Sequence, residues 1–343
     1  LERNIGVVVF DPTAQWSGFL RELNSKKMFE KYAQFEMKTK DARSYNGNVY
    51  QIEDPREIID LHKHLVPGEI HVFITNKLSP YQNDLFVANT VREVFVQGFD
   101  EKPELRYLMV YDEVHRLLSK FGGTGEGFIQ IERACREFRK WGIGMVLISQ
   151  VLSDFIGAIK ANINTEIQMR TRDEGDMKRL QTKYGEDVMK SVVKASVGTG
   201  MLENPAYNKG KPYLVSFRPL KHSIQRLSDT ELEKYNRYND ILDEYEYQVE
   251  QLDELEYDTF DLKLEQNLAL QKLKAGQFNM VDIYLESLET SFESAWKELG
   301  RIPKKREKRL ADMEDIKQSI EEAHEERKKH ESAKAGKTED SAQ

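Results

Sequence analysis

The sequence predicts an α/β protein built around a mostly parallel sheet, and three observations predict it. Four runs, IGVVVF (5–10), EIHVFIT (69–75), RYLMVY (106–111) and GMVLIS (144–149), are almost continuously apolar and rich in Val, Ile and aromatics. Strands buried on both faces of a parallel sheet look like this. Segments with helical spacing, DLFVANTVREVFVQGF (84–99) and FIQIERACREFRKWG (128–142), lie between the strands, and repetition of strand then helix gives a doubly wound domain. A length of 343 residues with 39% hydrophobic composition suffices for one large core and an appendage.

Further along, TEIQMRT (165–171) is expected to extend the sheet as a fifth strand, and GTGMLENPAYNKGKPYLVSFRP (198–219) to form a hairpin around its Pro/Asn/Gly turn. After about residue 226 the strands stop. LSDTELEKYNRYNDILDEYEYQVEQLDELEYD opens with a Ser/Asp cap and runs as a charged helix, and FNMVDIYLESLETSFESAWKELG is a second helix that Gly300 ends. The stretch 304–343 is almost all Lys, Arg, Glu, Ala and Ser. It is expected to be a solvated helix that frays, because Leu310, Met313, Ile316 and Ile320 are too short a stripe to sustain a coiled coil alone. The expected divisions are thus a core at 1–225, a helical extension at 226–303 and a charged tail at 304–343.

Charge follows the same division. The net charge is −8, yet residues 1–225 carry 32 Lys and Arg against 29 Asp and Glu, while residues 226–343 carry 19 against 30. The acidity belongs to the tail, so the first part stays compatible with a basic surface that meets phosphates. RIPKKREKR (301–309) is a basic run within the acidic part. The single Cys135 excludes an intrachain disulfide and a Cys/His metal site, and fits a reducing, cytoplasmic setting. No run approaches the roughly 18 apolar residues of a membrane span.

In open α/β sheets the reactive groups lie beyond the carboxyl ends of the strands. Here those ends carry Asp11, Asp112-Glu113, Ser149-Gln150 and Arg170. An apolar strand closing on Asp-Glu is a form used in phosphoryl transfer, where the Asp holds a Mg²⁺ shell and the Glu orients or deprotonates the attacking water. An amide at the end of the next strand can contact that water or a terminal phosphate without adding charge. The alternative is that Asp112 and Glu113 cap the segment EVHRLLSK. Arg136 and Arg139, three apart on an apparent helix, have their own alternative, pairing with Glu132 or Glu137.

Four motifs occur in order: FDPTAQWSG, LMVYDEVHRLL, REFRKWG and SQVL. Together they resemble the HerA/FtsK superfamily of ring-forming P-loop ATPases, most closely its HerA-like branch with its conjugation-type secretion relatives, over about residues 5–220. The resemblance implies a RecA-like P-loop NTPase core that uses ATP and Mg. Asp112 would bind the Mg²⁺ shell, Glu113 would activate water, and Gln150 would sense the γ-phosphate. Arg136 and Arg139 would reach a neighbouring subunit's nucleotide, and Asp11 would be a second carboxylate near the metal. It further implies an ATP-driven DNA translocase or helicase, acting as a homo-oligomeric ring, a hexamer, around DNA, with a nuclease partner. The alternatives are a conjugation, secretion or packaging ATPase of the same superfamily, and a non-hydrolysing ring or scaffold subunit.

The phosphate-cradling loop such a site needs, a Gly-rich turn ending in Gly-Lys-Ser/Thr, has no counterpart at a usable place. Gly336-Lys337-Thr338 has Glu331 where the first Gly belongs, FGGTGEGF (121–128) lacks a Lys, and Gly210-Lys211 runs into Pro212. Only residues 1–4 precede the first strand, so the chain is expected to begin after that loop and by itself neither to bind nor to hydrolyse ATP.

Overall fold

The computed structural model describes residues 1–117, 124–150, 159 and 162–340, with residues 333–340 as backbone only. Residues 118–123 of the loop after the Asp-Glu strand, and Val151 and Leu152 of SQVL, lie outside the described residues.

In chain order the elements are β1 (Gly6–Asp11), α1 (Lys26–Tyr32), β2 (Gly47–Gln51), α2 (Leu61–His64), β3 (Ile70–Ile74), α3 (Pro80–Gln97), β4 (Tyr107–Tyr111), α4 (Glu126–Glu137) and β5 (Ile143–Leu147). There follow β6 (Glu166–Met169), α5 (Glu174–Tyr184), α6 (Glu186–Val193), β7 (Thr199–Glu203), β8 (Tyr213–Ser216), α7 (Asp229–Glu254), α8 (Phe260–Lys274), α9 (Phe278–Leu299) and α10 (Met313–Asp340).

The main sheet has five parallel strands in the order β2-β3-β1-β4-β5. Four of them, the apolar strands β3, β1, β4 and β5, are those expected from the sequence. The fifth is β2, not the segment at 165–171. That segment, as β6, pairs antiparallel with β7 in a separate three-stranded sheet β6-β7-β8, of which β7 and β8 are the expected hairpin. The reason is its pattern: Gln168 is buried while Ile167 and Met169 are exposed, an alternation that suits a half-covered antiparallel sheet.

Alternation along the main sheet divides its core into two layers. Val8, Phe10, Phe73, Met109 and Tyr111 face α3 and α4, packing with Phe86, Val91, Val94, Ile131 and Ala134. Val7, Val9, Val49, Val72 and Val110 face the other way and share one apolar cluster with Tyr235, Tyr238 and Leu242 of α7, Leu273 of α8 and Leu288 and Phe292 of α9. The helical extension thus supplies the second layer of the doubly wound fold. Its first helix starts where the sequence marks it, with Ser228 and Glu231 forming a reciprocal capping box.

At the β2 edge, Asn239 Nδ2 donates to the Val49 carbonyl at 2.8 Å and Asn236 accepts from the Gln51 amide at 3.1 Å. Gly47 is required here, since a Cβ would stand 1.9 Å from the Ile70 carbonyl oxygen. The basic run 301–309 lies over the acidic face of α7: Arg306 reaches Asp243 at 2.7 Å, and its amide donates to Glu244 at 3.0 Å. The chain then returns to the core, where the Ala311 amide donates to the Arg56 carbonyl at 2.8 Å. Beyond it α10 docks on α3 and α4 with Ile316 and Ile320 buried against Leu85 and Ala88, so the tail's short apolar stripe faces the core instead of solvent. Among the described residues no helix is long and apolar enough to cross a membrane.

Candidate active site

Adjacent parallel strands bring the two aspartates together. β1 and β4 are in register through Phe10 and Tyr111, and the Asp112 amide donates to the Phe10 carbonyl at 3.1 Å, so Asp11 and Asp112 leave the sheet side by side. Asp11 is fully buried and its oxygens are in use. Oδ1 accepts from the Thr13 amide and hydroxyl, both at 2.7 Å, and Oδ2 from the Trp16 amide at 2.8 Å. Asp11 therefore shapes the DPTAQW turn, which passes through Ala14 at a left-handed φ of 62°. Trp16 closes the arrangement, because its indole Nε1 donates to Asp112 Oδ2 at 3.2 Å. Its ring is held by stacking on Phe19, with centroids 5.3 Å apart.

Asp112 Oδ1 accepts the Glu113 amide at 2.9 Å. Burial, and next the charge of Asp11, push the Asp112 carboxyl above its ordinary range, with the Trp16 hydrogen bond acting against them. Two acids held this closely favour a cation between or beside them. Among the described residues no group of three or more His, Cys, Asp or Glu is placed to hold a metal. A Mg²⁺ that keeps waters and phosphate oxygens needs only one or two carboxylates, and Asp112 fits that demand.

Glu113 adopts a left-handed φ of 51°, which turns its side chain across the strand ends. Oε1 accepts from Gln150 Nε2 at 2.7 Å. Oε2 lies 3.3 Å from His115 Nε2 and completes no hydrogen bond among the described residues, which leaves a buried acceptor for a further donor such as water. The Gln150 contact follows from the register of β4 and β5, continued by the Ile148 amide to the Tyr111 carbonyl at 3.0 Å and the Val114 amide to the Ile148 carbonyl at 2.9 Å.

Arg136 and Arg139 are not part of this cluster. Helix α4 runs back across the sheet, and the turn after it, ending at Gly142, bonds to Arg106 and Tyr107 at the start of β4. A helix of 12 residues is about 18 Å long, so the pair sits near the amino ends of the strands, opposite the carboxylates. Arg136 is engaged within the chain, at 2.9 Å from Glu132 and 3.7 Å from Glu326. Arg139 is exposed. At the carboxyl side, Asp84 of α3 caps the start of α4, accepting the Gly125 amide at 2.8 Å and the Gly127 amide at 2.7 Å.

Trp16 and His115 are the contacts of this site to which the strand-end residues give no pointer. No family model matches the chain. A probable helicase of Methanocaldococcus jannaschii is 24% identical over 206 residues, which cover 56% of this chain and 38% of that protein. The chain therefore spans well under half the length of that relative. Among solved structures, the genome packaging NTPase B204 of Sulfolobus turreted icosahedral virus 2 overlaps 63% of this chain and 96% of its own at a TM-score of 0.33 and 10% identity. The cytoplasmic domain of the Type VII secretion ATPase EccC of Thermomonospora curvata overlaps 62% of this chain and 25% of its own, at a TM-score of 0.33 and 14% identity.

Proposed function

We propose that this chain is the water-activating half of an ATP-driven DNA translocase or helicase of HerA-like kind. The observation that carries the reading is the hydrogen bond of 2.7 Å from Gln150 to Glu113 beside Asp112, three polar groups held at the ends of two neighbouring apolar strands. Similarity to a probable helicase supports it.

In this reading Glu113 is the general base. Gln150 fixes one carboxylate oxygen and leaves the other to accept a proton from water. Gln150 also passes on the state of a terminal phosphate, since an amide that turns toward it releases Glu113. Asp112 would hold a Mg²⁺, which supplies neutralisation of charge on the transferred phosphate. Asp11 and Trp16 are positioning residues, because they act through Asp112. Phosphate-cradling amides have to come from a segment outside these motifs. Strand β5, paired among the described residues with β4 alone, leaves a sheet edge open beside Gln150. Arg136 and Arg139, at the end of the sheet away from Asp112 and Glu113, suit a role toward a neighbouring subunit's nucleotide in a hexameric ring around DNA. A nuclease partner belongs to the same reading.

A Mg²⁺-dependent ATPase assay on the protein joined to its phosphate-binding segment tests this, with Glu113→Gln expected to abolish turnover and spare nucleotide binding. Unchanged turnover would remove Glu113 from the role of base. Titration of the present chain with fluorescent ATP is expected to show no tight binding. A second reading, a non-hydrolysing ring or scaffold subunit, gains if no phosphate-binding segment restores hydrolysis.

A further inference from the structure

The arginines of α4 face the C-terminal helix. Arg133 lies 2.9 Å from Glu326 and 3.8 Å from Glu322, and Arg136 lies 3.7 Å from Glu326. Both arginine side chains are only 12% exposed. Arg327 of α10 approaches Glu132 at 3.8 Å in return. Carboxylates of α10 thus occupy the place an anion from outside would take.

The match is incomplete in a telling way. Among the described residues the Nε atoms of Arg133 and Arg136 are buried and donate no hydrogen bond. A guanidinium recruited for stability uses its planar fork on one carboxylate. Here Arg133 divides its two Nη between Glu326 and Glu322, Arg136 divides its own between Glu132 at 2.9 Å and Glu326 at 3.7 Å, and each keeps a buried Nε unused. Phosphate, with more oxygens and more charge, would use these donors better.

The remaining attachment of α10 is slight. Ile316, Ile320 and Ala323 are its buried apolar residues, Gln130 donates to the Ser319 carbonyl at 2.6 Å, and Arg92 meets Asp315 at 3.2 Å. Ion pairs near the surface weaken with salt and exchange with competing anions. A helix held by a short stripe and such pairs can leave without unfolding the sheet beneath it.

We propose that the Arg133–Arg136 face of α4 is a phosphate-binding face that α10 masks with Glu322 and Glu326. The proposal rests on the reading of Arg136 as a phosphate-facing arginine, and adds that the chain's own tail holds it closed. Its test needs no hydrolysis, so failure here leaves the Glu113 result untouched.

Two variants of the full chain open the face by different routes: Ile316→Asp with Ile320→Asp removes the anchors, and Glu322→Gln with Glu326→Gln removes the charge of the tail helix alone, leaving Glu132 beside Arg136. Hydrogen exchange over residues 313–332 reports release in the first, and the second keeps the test standing if the first misfolds. Binding of inorganic triphosphate, and separately of a short DNA duplex, is measured by calorimetry at low salt. At least tenfold tighter binding than the parent is expected, lost again when Arg133→Gln and Arg136→Gln are added. A gain for triphosphate alone assigns the face to nucleotide phosphates, and a gain for the duplex to a nucleic-acid backbone. The proposal falls if neither ligand gains in a folded variant, or if the gain survives loss of both arginines.

Discussion

The main sheet buries titratable groups at both of its ends, and the two clusters are built in opposite ways. At the carboxyl ends, Asp112 is raised by burial and by Asp11, and Glu113 keeps one oxygen without a hydrogen bond among the described residues. At the amino ends of β2 and β3, His64 and His71 place their Nδ1 atoms 3.2 Å apart, His71 Nε2 meets Glu69 at 3.1 Å, and Lys274 closes the chain of contacts on Glu69 at 2.7 Å. Burial lowers both histidines, and His64 further by the charge of His71. Burial also works on Glu69, upward, but the hydrogen bonds from His71 and Lys274 outweigh it and hold its carboxyl low. The second cluster is closed by partners within the chain, whereas the first keeps one buried carboxylate oxygen, Glu113 Oε2, with no hydrogen bond among the described residues. That contrast is the physical reason to place function at the carboxyl ends.

Breaking the contrast at its functional end gives the largest expected effect. On the proposed ATPase reading, Glu113→Gln should lower turnover by about 10²-fold or more, the usual scale of a positioned base. Melting temperature should hardly change, because the amide still accepts from Gln150. Next in size is the response to acid, which has opposite signs at the two ends. The histidines have folded pKa values below their unfolded ones, so their contribution is present above about pH 6.5 and lost as pH falls through it, by up to about 1.4 kcal/mol per pH unit for each proton taken up. Urea denaturation between pH 7.5 and 5 should show this loss, and His64→Leu should flatten it. An acid slope unchanged by His64→Leu would put the sensitivity elsewhere. Asp112, with its folded pKa raised, adds relative stability in acid that disappears as pH rises through that pKa. Asp112→Asn should therefore stabilise the fold at pH 7, by a few tenths of a kcal/mol after screening, and the gain should vanish toward pH 4.

What the sequence disclosed follows the same physics. Strands β1, β3, β4 and β5 are legible because each is a nearly continuous apolar run, and β1 and β3 are buried throughout. Strand β2 is not, because GNVYQ sits at an edge, and its polar Asn48 and the backbone amide of Gln51 are matched by Asn239 and Asn236 of a helix far along the chain. Residue patterns placed 165–171 in the main sheet because they report strand character and not pairing partners. At the site, Asp112, Glu113 and Gln150 each follow directly on an apolar strand, so their meeting could be anticipated. The Trp16 contact with Asp112 spans 96 positions, and the tail carboxylate beside Arg136 stands 190 residues away in a segment of low complexity. No local pattern encodes such contacts.

The smallest expected effect isolates the backbone at Glu113. A residue other than Gly in the left-handed region is held there at a cost of about 1 kcal/mol, less for Asn, whose short amide tolerates that conformation. Glu113→Gln keeps both the backbone strain and the reach to Gln150, while Glu113→Asn relaxes the backbone and shortens the reach. If the left-handed turn exists to aim the side chain, Glu113→Asn should be as inactive as Glu113→Gln and more stable by a few tenths of a kcal/mol, read as a shift in urea midpoint. If Glu113→Asn is instead the less stable of the two, the hydrogen bond to Gln150 outweighs the strain, and the turn is held by the site instead of imposed on it.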